Sequence, residues 1–268
     1  MRLVYLAALC LAAPVGAAEL KIDLGHGVQS YDTASLLKRG DVHEIRIPDD
    51  VAYHGERHYR ALPLRTLLPG VMRGDHLQFV AIDGFSAEID AEALLGGSAA
   101  TPWLAIEDPA RPWPPLAGGK SAGPFYVVWT DPAAGGIGSE QWPYQVAMIR
   151  KLAAVAERFP ATAPDPALPA NNPIRHGYAV FQRTCFACHT LNGQGDAKLG
   201  PDLNVPHSPT EYLREDLLRA YIRDPQSLRR WPEAKMHGVD AATLPDADLD
   251  DLLKYLRHMV MRKSTPAH

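Results

Sequence analysis

Two thiols and an imidazole are the side chains of this sequence whose types and spacing point most directly to chemistry. Cys185, Cys188 and His189 stand in "CFACH", and the only other cysteine of the chain is Cys10. Two cysteines three positions apart can form a redox disulfide, supply half of a zinc site or attach a haem. The surrounding sequence has to decide among these three chemistries.

The C-x-x-C-H spacing favours haem attachment. A thioredoxin-like disulfide needs the cysteine pair after a strand of a βαβ unit, and no such pattern precedes Cys185. A structural zinc site needs further ligands, and no second C-x-x-C or H-x-x-x-H follows. In a C-x-x-C-H turn each thiol can add to one vinyl group of a haem, while the histidine ligates the iron. We therefore predict one covalently bound haem c, the alternative being two buried cysteines beside an incidental His189.

The sequence around the motif resembles the class I cytochrome c family over roughly residues 173–262. Gly177 and Phe181 match the positions at which the first and last helices of that family cross, and Tyr255 matches the last helix. "LGPDL" matches the G-P-x-L segment of the family. The resemblance implies that the carbonyl of Pro201 accepts a hydrogen bond from His189 and fixes its tautomer.

The resemblance also implies that Met236 is the sixth ligand of the iron. Met236 stands in "EAKMHG", where His237 replaces the proline that commonly follows the ligand methionine. His237 and His207 are alternative ligands, whereas Met259 and Met261 are expected to pack on the last helix. Histidine–methionine ligation would raise the haem potential, because a thioether is a soft ligand.

A basic and aromatic stretch, "SLRRWPE", lies shortly before Met236. Arg229, Arg230 and Trp231 could contact haem propionates or dock an acidic partner, and a solvated turn is an equally good interpretation.

The first 18 residues are typical of a cleavable export signal. Arg2 precedes a short apolar run, and small residues near Ala17 and Ala18 offer a cleavage site. Cys10 leaves a lipoprotein as the alternative. No other stretch is long and apolar enough for a membrane helix. We expect a periplasmic protein, and its formal net charge of −4 gives no reason to expect nucleic acid as a partner.

After the signal, the chain is predicted to be multidomain, with two domains joined by a linker. Alternating and short apolar runs indicate a mostly β, α+β domain over residues 19–158, with "PYQVAMIRKLAAVAERF" open to either strand or helix. The proline-rich residues 159–172 are expected to be a linker. Residues 173–268 are expected to form a small all-α cytochrome c domain, with Asn172 capping its first helix and "SPTEYLREDLLRAYIRDP" as a helix that begins in a capping box of Ser208 and Glu211.

The front domain contains no obvious catalytic group. His54 and His58 are four apart, which is a metal spacing only on a helix, and a loop or strand end is favoured there. The pair Glu107–Asp108 is expected in a solvated loop, and Asp49–Asp50 in a turn. We expect the tryptophans to belong to the core: Trp103, Trp113, Trp129 and Trp142.

Residues 24–150 are diffusely similar to the sulfite oxidase-like molybdopterin-binding domain. The similarity lies in the order of "AIDGFSAEID", "WLAIED", "PFYVVWT" and "QWPYQVAMI". Members of that family bind molybdenum through a cysteine thiolate, and residues 19–184 contain no cysteine. We therefore expect a domain without molybdopterin, because a shared fold alone does not confer the activity.

These features predict an electron-transfer protein more than an enzyme. The haem domain would exchange single electrons with redox protein partners, and the front domain would serve as a docking module or scaffold. One alternative is a sulfite oxidase-like oxidoreductase whose front domain binds a cofactor or substrate and reduces the fused haem. Another is a sensor with an open sixth position on the iron.

Overall fold

The computed structural model describes residues 18–96, 99–116, 119–197, 199–234 and 236–264. Residues 1–17 of the predicted signal, with Cys10 and Ala17, lie outside these residues. No helix within them is long and apolar enough to cross a membrane. The strands of the described residues all precede residue 153: β1 (Glu19–Asp23), β2 (Val28–Asp32), β3 (His43–Asp50), β4 (Gly55–Pro63), β5 (His76–Ala81), β6 (Ser86–Asp90), β7 (Thr101–Ile106), β8 (Phe125–Thr130) and β9 (Val146–Leu152).

The front of the chain forms two sheets around one core. The first has the strand order β2-β1-β9-β5-β6, and the second has the order β3-β4-β7-β8. The pairing of β1 with β9 is parallel and the other pairings are antiparallel. Apolar side chains of both sheets, such as Phe79, Leu104 and Ile149, are fully buried in this core. The predicted mostly β front is confirmed.

The helices of the described residues lie mainly in the second half of the chain: α1 (Thr33–Leu37), α2 (Ala91–Leu94), α3 (Val155–Arg158), α4 (Pro173–Thr184), α5 (Pro209–Tyr212), α6 (Glu215–Arg223), α7 (Pro225–Leu228) and α8 (Asp246–Val260). The segment "PYQVAMIRKLAAVAERF", which the sequence left open to strand or helix, contains strand β9 followed by the single helical turn α3. Short 3₁₀ turns complete the chain, and the one at Ser139–Gln141 packs against α4 and β6.

Local sequence explains where the helices of the back domain begin. The Asn172 side chain accepts a hydrogen bond from the amide of Ile174, and Pro173 occupies the first turn of α4. Ser208 and Glu211 form the predicted capping box of α5. The expectation of one helix after Ser208 was wrong, because Leu213 and Arg214 take extended backbone conformations that separate α5 from α6.

Helices α4 and α8 cross at Gly177. A Cβ atom at this position would lie 2.0 Å from the carbonyl oxygen of Asp251, so only glycine allows the two backbones to come this close. Phe181 and Tyr255 are both fully buried at the crossing, with ring centroids 5.4 Å apart. The crossing fixes the direction of α4, whose last residue directly precedes Cys185.

The proline-rich segment at residues 159–172 lies against the helical domain. Its 3₁₀ turn Pro160–Thr162 receives a hydrogen bond from the hydroxyl of Tyr255 to the carbonyl of Thr162, at 2.6 Å. The amide of Asp165 donates to Nε2 of His258, at 3.1 Å. The segment is therefore anchored along α8 for at least its first half.

Candidate functional site: a haem-attachment turn

The turn after α4 gathers the two cysteines and the histidine. The amide of Cys185 still donates to the carbonyl of Phe181, at 2.9 Å, which continues the helical pattern. The amides of Cys188 and His189 both donate to the carbonyl of Cys185, at 3.2 and 3.0 Å. These bonds wrap residues 185–189 into one turn, so that both thiols and the imidazole belong to a single compact unit.

The imidazole of His189 is oriented by the segment that holds Pro201. Its Nδ1 atom lies 2.7 Å from the carbonyl oxygen of Pro201. A carbonyl can only accept, so Nδ1 donates its hydrogen and the lone pair of the neutral ring is on Nε2. Burial lowers the pKa of His189 and so favours the neutral ring. The hydrogen bond to Pro201 acts in the opposite direction, but its effect on the pKa is smaller. The ring is therefore prepared to ligate a metal through Nε2.

Gly200 provides the space for that ring. A Cβ atom at Gly200 would lie 2.4 Å from Cε1 of His189 and 2.5 Å from its Nδ1. The amide of Gly200 also donates to the carbonyl of Cys188, at 2.7 Å. The glycine thus ties the Pro201 segment to the cysteine turn and leaves room for the imidazole.

Asp202 organises the loop around the turn, and sequence reasoning missed it. Its carboxylate accepts hydrogen bonds from the amides of Asn192, Gly193, Asn204 and Val205, at 2.7–3.2 Å, as well as from the hydroxyl of Thr190. The available signal was an acidic residue inside "LGPDLN" following the turn-forming pair Asn192–Gly193.

Cys185 and Cys188 are half-buried and are not joined by a disulfide. Burial, together with the negative charge of Glu140, raises the pKa of each thiol to about 12. Protonated, buried thiols are poorly suited to thiol–disulfide exchange, which needs a thiolate. The pair together with a lone pair on His189 fits a haem that is attached through the sulfurs and ligated by the imidazole.

Met236 packs against the hydrophobic core of the helical domain and is half-buried. The chain just beyond it is fixed on α6, because the amide of Val239 donates to the carbonyl of Ile222 at 2.9 Å. A Cβ at Gly238 would lie 2.2 Å from the carbonyl oxygen of Arg223, so this approach also requires glycine. Met236 is therefore held at the wall of the core, whereas His207 and His237 are exposed.

The other two methionines considered from the sequence differ from each other. Met259 is buried and packs in the core, with 1% exposure. Met261 lies beyond the end of α8 and is 86% exposed, so the expectation that it packs was wrong.

The stretch around Trp231 is an exposed surface. The guanidinium of Arg229 lies 4.7 Å from the centroid of the Trp231 ring. Gln226, Arg230, Trp231 and Pro232 line an open pocket of about 490 Å³. Both interpretations that the sequence left open, anion contact and a solvated turn, are compatible with this geometry.

The front-domain residues that the sequence offered as candidates for chemistry lie in a turn, on a strand or in the core. His54 lies in a turn and His58 on β4, where its Nε2 atom is 3.1 Å from Glu56. In the described parts of the chain, no three His, Cys, Asp or Glu residues form a group that could hold a metal ion. Asp50 is fully buried and accepts from the hydroxyl of Tyr59 at 2.8 Å.

Two further expectations for the front domain have different outcomes. Glu107 and Asp108 are half-buried rather than solvated, and Glu107 accepts from the amide of Trp113, at 2.7 Å. Trp129 and Trp142 are buried in the core, and the other two tryptophans pack against it.

The front domain is bound directly to the cysteine turn. The amide of Ser86, at the start of β6, donates to the carbonyl of Ala187 between the two cysteines, at 3.2 Å. Nearby, Arg158 bridges Glu88 on β6, at 2.5 Å, and Asp196 in the loop after the turn, at 2.7 Å. Gln78 also donates to Asp196, at 2.6 Å. The cysteine turn is thus held from both domains.

Comparison with protein-family models decides the class of the helical half. Residues 174–259 match the family model for cytochrome c. This cytochrome c domain contains the cysteine turn, the Pro201 segment, Met236 and nearly all of α8. Cytochromes c carry electrons by means of haem, so the match suggests a haem-based electron carrier in this part of the chain. A comparison with curated proteins found no match.

Proposed function

We propose that the chain is an exported, mono-haem c-type cytochrome that carries single electrons between redox protein partners. Cys185 and Cys188 attach the haem, and His189 and Met236 ligate its iron. The haem, when bound, supplies a one-electron couple between Fe(III) and Fe(II). The observation that carries the proposal is the hydrogen bond from His189 to Pro201 beside the cysteine pair, because it leaves Nε2 of the imidazole available to the iron.

The protein contributes position and environment to this couple. The carbonyl of Pro201 fixes the tautomer of His189. Met236 offers a soft sulfur at the wall of the core, which stabilises Fe(II) relative to Fe(III) and raises the potential. Arg229 and Arg230 supply positive charge in the exposed stretch around Trp231, where an acidic partner or the haem propionates could be bound.

The front domain acts, in this proposal, as a scaffold that holds the cysteine turn. The contact of Ser86 with Ala187 and the bridge of Arg158 to Asp196 support this role. We propose a sulfite oxidase-like fold without molybdopterin for it, because residues 19–184 provide no cysteine ligand.

Elemental analysis of the full chain tests the proposal. The protein is produced with haem-maturation machinery and with molybdenum and copper supplied, and the matched control is Cys185→Ala/Cys188→Ala. We expect one iron per chain in the wild type, a mass increased by one haem, and neither change in the control. Molybdenum or copper at near one per iron would instead assign a redox site to the front domain and make the protein an enzyme. A chain without iron would refute the proposal altogether.

A further inference from the structure

Two exposed arginines of the helical domain differ from the others, because their guanidinium groups have no acceptor. Among the described residues, neither Arg229 nor Arg230 forms an ion pair or a side-chain hydrogen bond. Every other arginine after residue 173 contacts a carboxylate or a carbonyl oxygen: Arg175, Arg183, Arg214, Arg219, Arg223, Arg257 and Arg262. Arg229 and Arg230 are therefore available to carboxylates from outside the chain.

The charge around these two arginines is locally positive. The stretch from Gln226 to Ala234 contains one acid, Glu233, which is exposed and pairs with neither arginine in the described part of the chain. The whole chain, by contrast, has a formal net charge of −4. A negatively charged partner is thus attracted to this place in preference to the rest of the surface.

The tryptophan beside the arginines is fixed before any partner binds. The amide of Trp231 donates to Oε1 of Gln226, at 2.7 Å, and Nε2 of Gln226 donates back to the carbonyl of Trp231, at 3.0 Å. Gln226 is held in turn, because its own amide donates to the carboxylate of Asp224, at 3.0 Å. The guanidinium of Arg229 lies over the indole, 4.7 Å from its centroid. A side chain that is already ordered loses less conformational entropy on binding.

Apolar surface accompanies the positive charge. Trp231 is 53% exposed and Leu228 is 42% exposed. An open pocket lies between Arg230, Trp231, Gln226 and Pro232. Tryptophan and arginine are the residues that most often carry the binding energy of a protein interface. A haem propionate would pair with an arginine but leave the indole and Leu228 uncovered, whereas the surface of a protein can cover both.

We propose that this surface is the docking site of an acidic redox protein. We call it the Trp231 surface, and it consists of Gln226, Leu228, Arg229, Arg230, Trp231 and Pro232. The inference rests on the function proposed above and adds the chemistry of the partner, namely carboxylates that pair with the two arginines around an apolar side chain that enters the pocket.

The Trp231 surface lies within reach of the proposed iron ligand. Met236 is the fifth residue after Trp231, so that the chain separates their Cα atoms by at most about 18 Å. A docked partner exchanges one electron with the haem iron. The donor loses the electron as Fe(III) becomes Fe(II), or Fe(II) loses it to an acceptor, and no covalent bond forms or breaks.

Titration of isotope-labelled, reduced holo-protein with an acidic peptide tests the proposal. The probe is a blocked peptide of four glutamates around one leucine, and the control peptide has lysines in place of the glutamates. Nuclear magnetic resonance should show shifts of the Trp231 indole N–H and of the backbone amides of Gln226 and Arg230 with the acidic peptide only. Shifts confined to other surfaces, or none at all, would overturn the proposal.

Substitutions separate the contributions of charge and of the ordered indole. Arg230→Gln and Trp231→Ala should each raise the dissociation constant of the acidic peptide by about three- to tenfold. Gln226→Met preserves the size of the side chain but removes both hydrogen bonds to Trp231, so it should also weaken binding. Arg214→Gln removes the same charge from an exposed pair with Asp216 and should bind as the wild type does. Wild-type affinity in Arg230→Gln would refute the role of the surface.

Electron transfer gives a readout that a purely structural role would not move. The reduced haem passes one electron to hexacyanoferrate(III), which becomes hexacyanoferrate(II). Saturating acidic peptide should slow this reaction in the wild type, and an unslowed reaction would show that the Trp231 surface is not a redox docking site. If Arg230→Gln changed the midpoint potential but left the affinity for the peptide intact, Arg230 would instead belong to a haem propionate.

Every sample is first assayed for covalent haem, which distinguishes the two levels of the argument. A wild type without haem counts against the proposed function. A haem-loaded protein that does not bind the acidic peptide counts only against the Trp231 surface.

Discussion

The carbonyl oxygen of Pro201 lies 2.7 Å from Nδ1 of His189. This contact determines which nitrogen of the imidazole is free to bind iron. It depends on Gly200, the residue before Pro201, because the ring of His189 occupies the space that a side chain at Gly200 would fill. Orientation of the His189 imidazole is therefore a property of a backbone segment twelve residues away, in addition to the C-x-x-C-H turn itself.

Substitution Gly200→Ala should displace the imidazole. The added Cβ would lie 2.4 Å from the ring, so either the ring or the Pro201 segment has to move. We expect a loss of about 1–3 kcal/mol in stability from overpacking, together with a changed haem spectrum and potential. Gly74→Ala is the control, since nothing lies within 4 Å of its added Cβ. Chemical denaturation and spectroelectrochemistry measure both effects, and a Gly200→Ala protein identical to the control would show that the ring is not confined there.

The sixth ligand can be tested by comparing two methionines. Met236→Ala should lower the haem potential and remove the weak far-red absorption expected for a methionine sulfur bound to Fe(III), because the soft ligand is lost. Met259→Ala should leave both unchanged but lower the stability by about 2–5 kcal/mol, since Met259 is fully packed in the core. His237→Ala should change neither the haem potential nor the far-red absorption. If Met236→Ala kept the wild-type spectrum while His237→Ala lost it, His237 would be the ligand.

Much of the site was predictable because its residues are close together in sequence. The turn at residues 185–189 is local, and the "LGPDL" segment is recognisable by itself. The hydrogen bond of Ser86 to Ala187 and the position of Glu140 were not predictable, because they depend on how the two domains pack. Composition gives no indication that an edge strand of the front domain will meet the carbonyl between the two cysteines.

The same distinction applies to the helices and strands. Alternation identified β3, β5 and β6, and the caps identified the start of α4 and α5. The break between α5 and α6 was missed, because Leu213 and Arg214 have no proline or glycine that would announce extended backbone. The exposure of Met261 was missed because the apolar pattern continues past the point where α8 ends.

Arg158 should hold the two domains together. It bridges Glu88, whose side chain is 3% exposed, and Asp196. Arg158→Met removes one of the three side chains that contact the buried Glu88 carboxylate and leaves His76 and Gln78 in place, so we expect a loss of about 1.5–3 kcal/mol. The control is Arg73→Met, which breaks an exposed pair with Glu92 and should cost about 1 kcal/mol or less.

Denaturation followed by two probes separates domain docking from general instability. Tryptophan fluorescence reports mainly on the front domain, which contains Trp103, Trp113, Trp129 and Trp142, and haem absorption reports on the cytochrome c domain. The two transitions should coincide in the wild type and separate in Arg158→Met. Coincident, unshifted transitions in that variant would mean that the bridge contributes nothing to the junction.

His76 makes the stability of the front domain depend on pH. Burial alone would lower its pKa, but hydrogen bonds to Asp90 and Glu88 outweigh burial and raise the pKa from 6.5 to about 9. A group with a raised pKa contributes stability that is fully present below its unfolded pKa and is lost as the pH rises through its folded pKa. The free energy of unfolding should therefore fall between about pH 6.5 and pH 9, by about 3 kcal/mol at most.

In His76→Gln this fall should disappear, because the glutamine cannot carry the charge that the two carboxylates stabilise. His58→Gln is the control, since His58 is exposed on β4 and should leave the wild-type pH profile unchanged. Urea denaturation at a series of pH values measures all three proteins. Parallel curves for the wild type and His76→Gln would place the origin of the pH dependence outside the cluster of His76, Glu88 and Asp90.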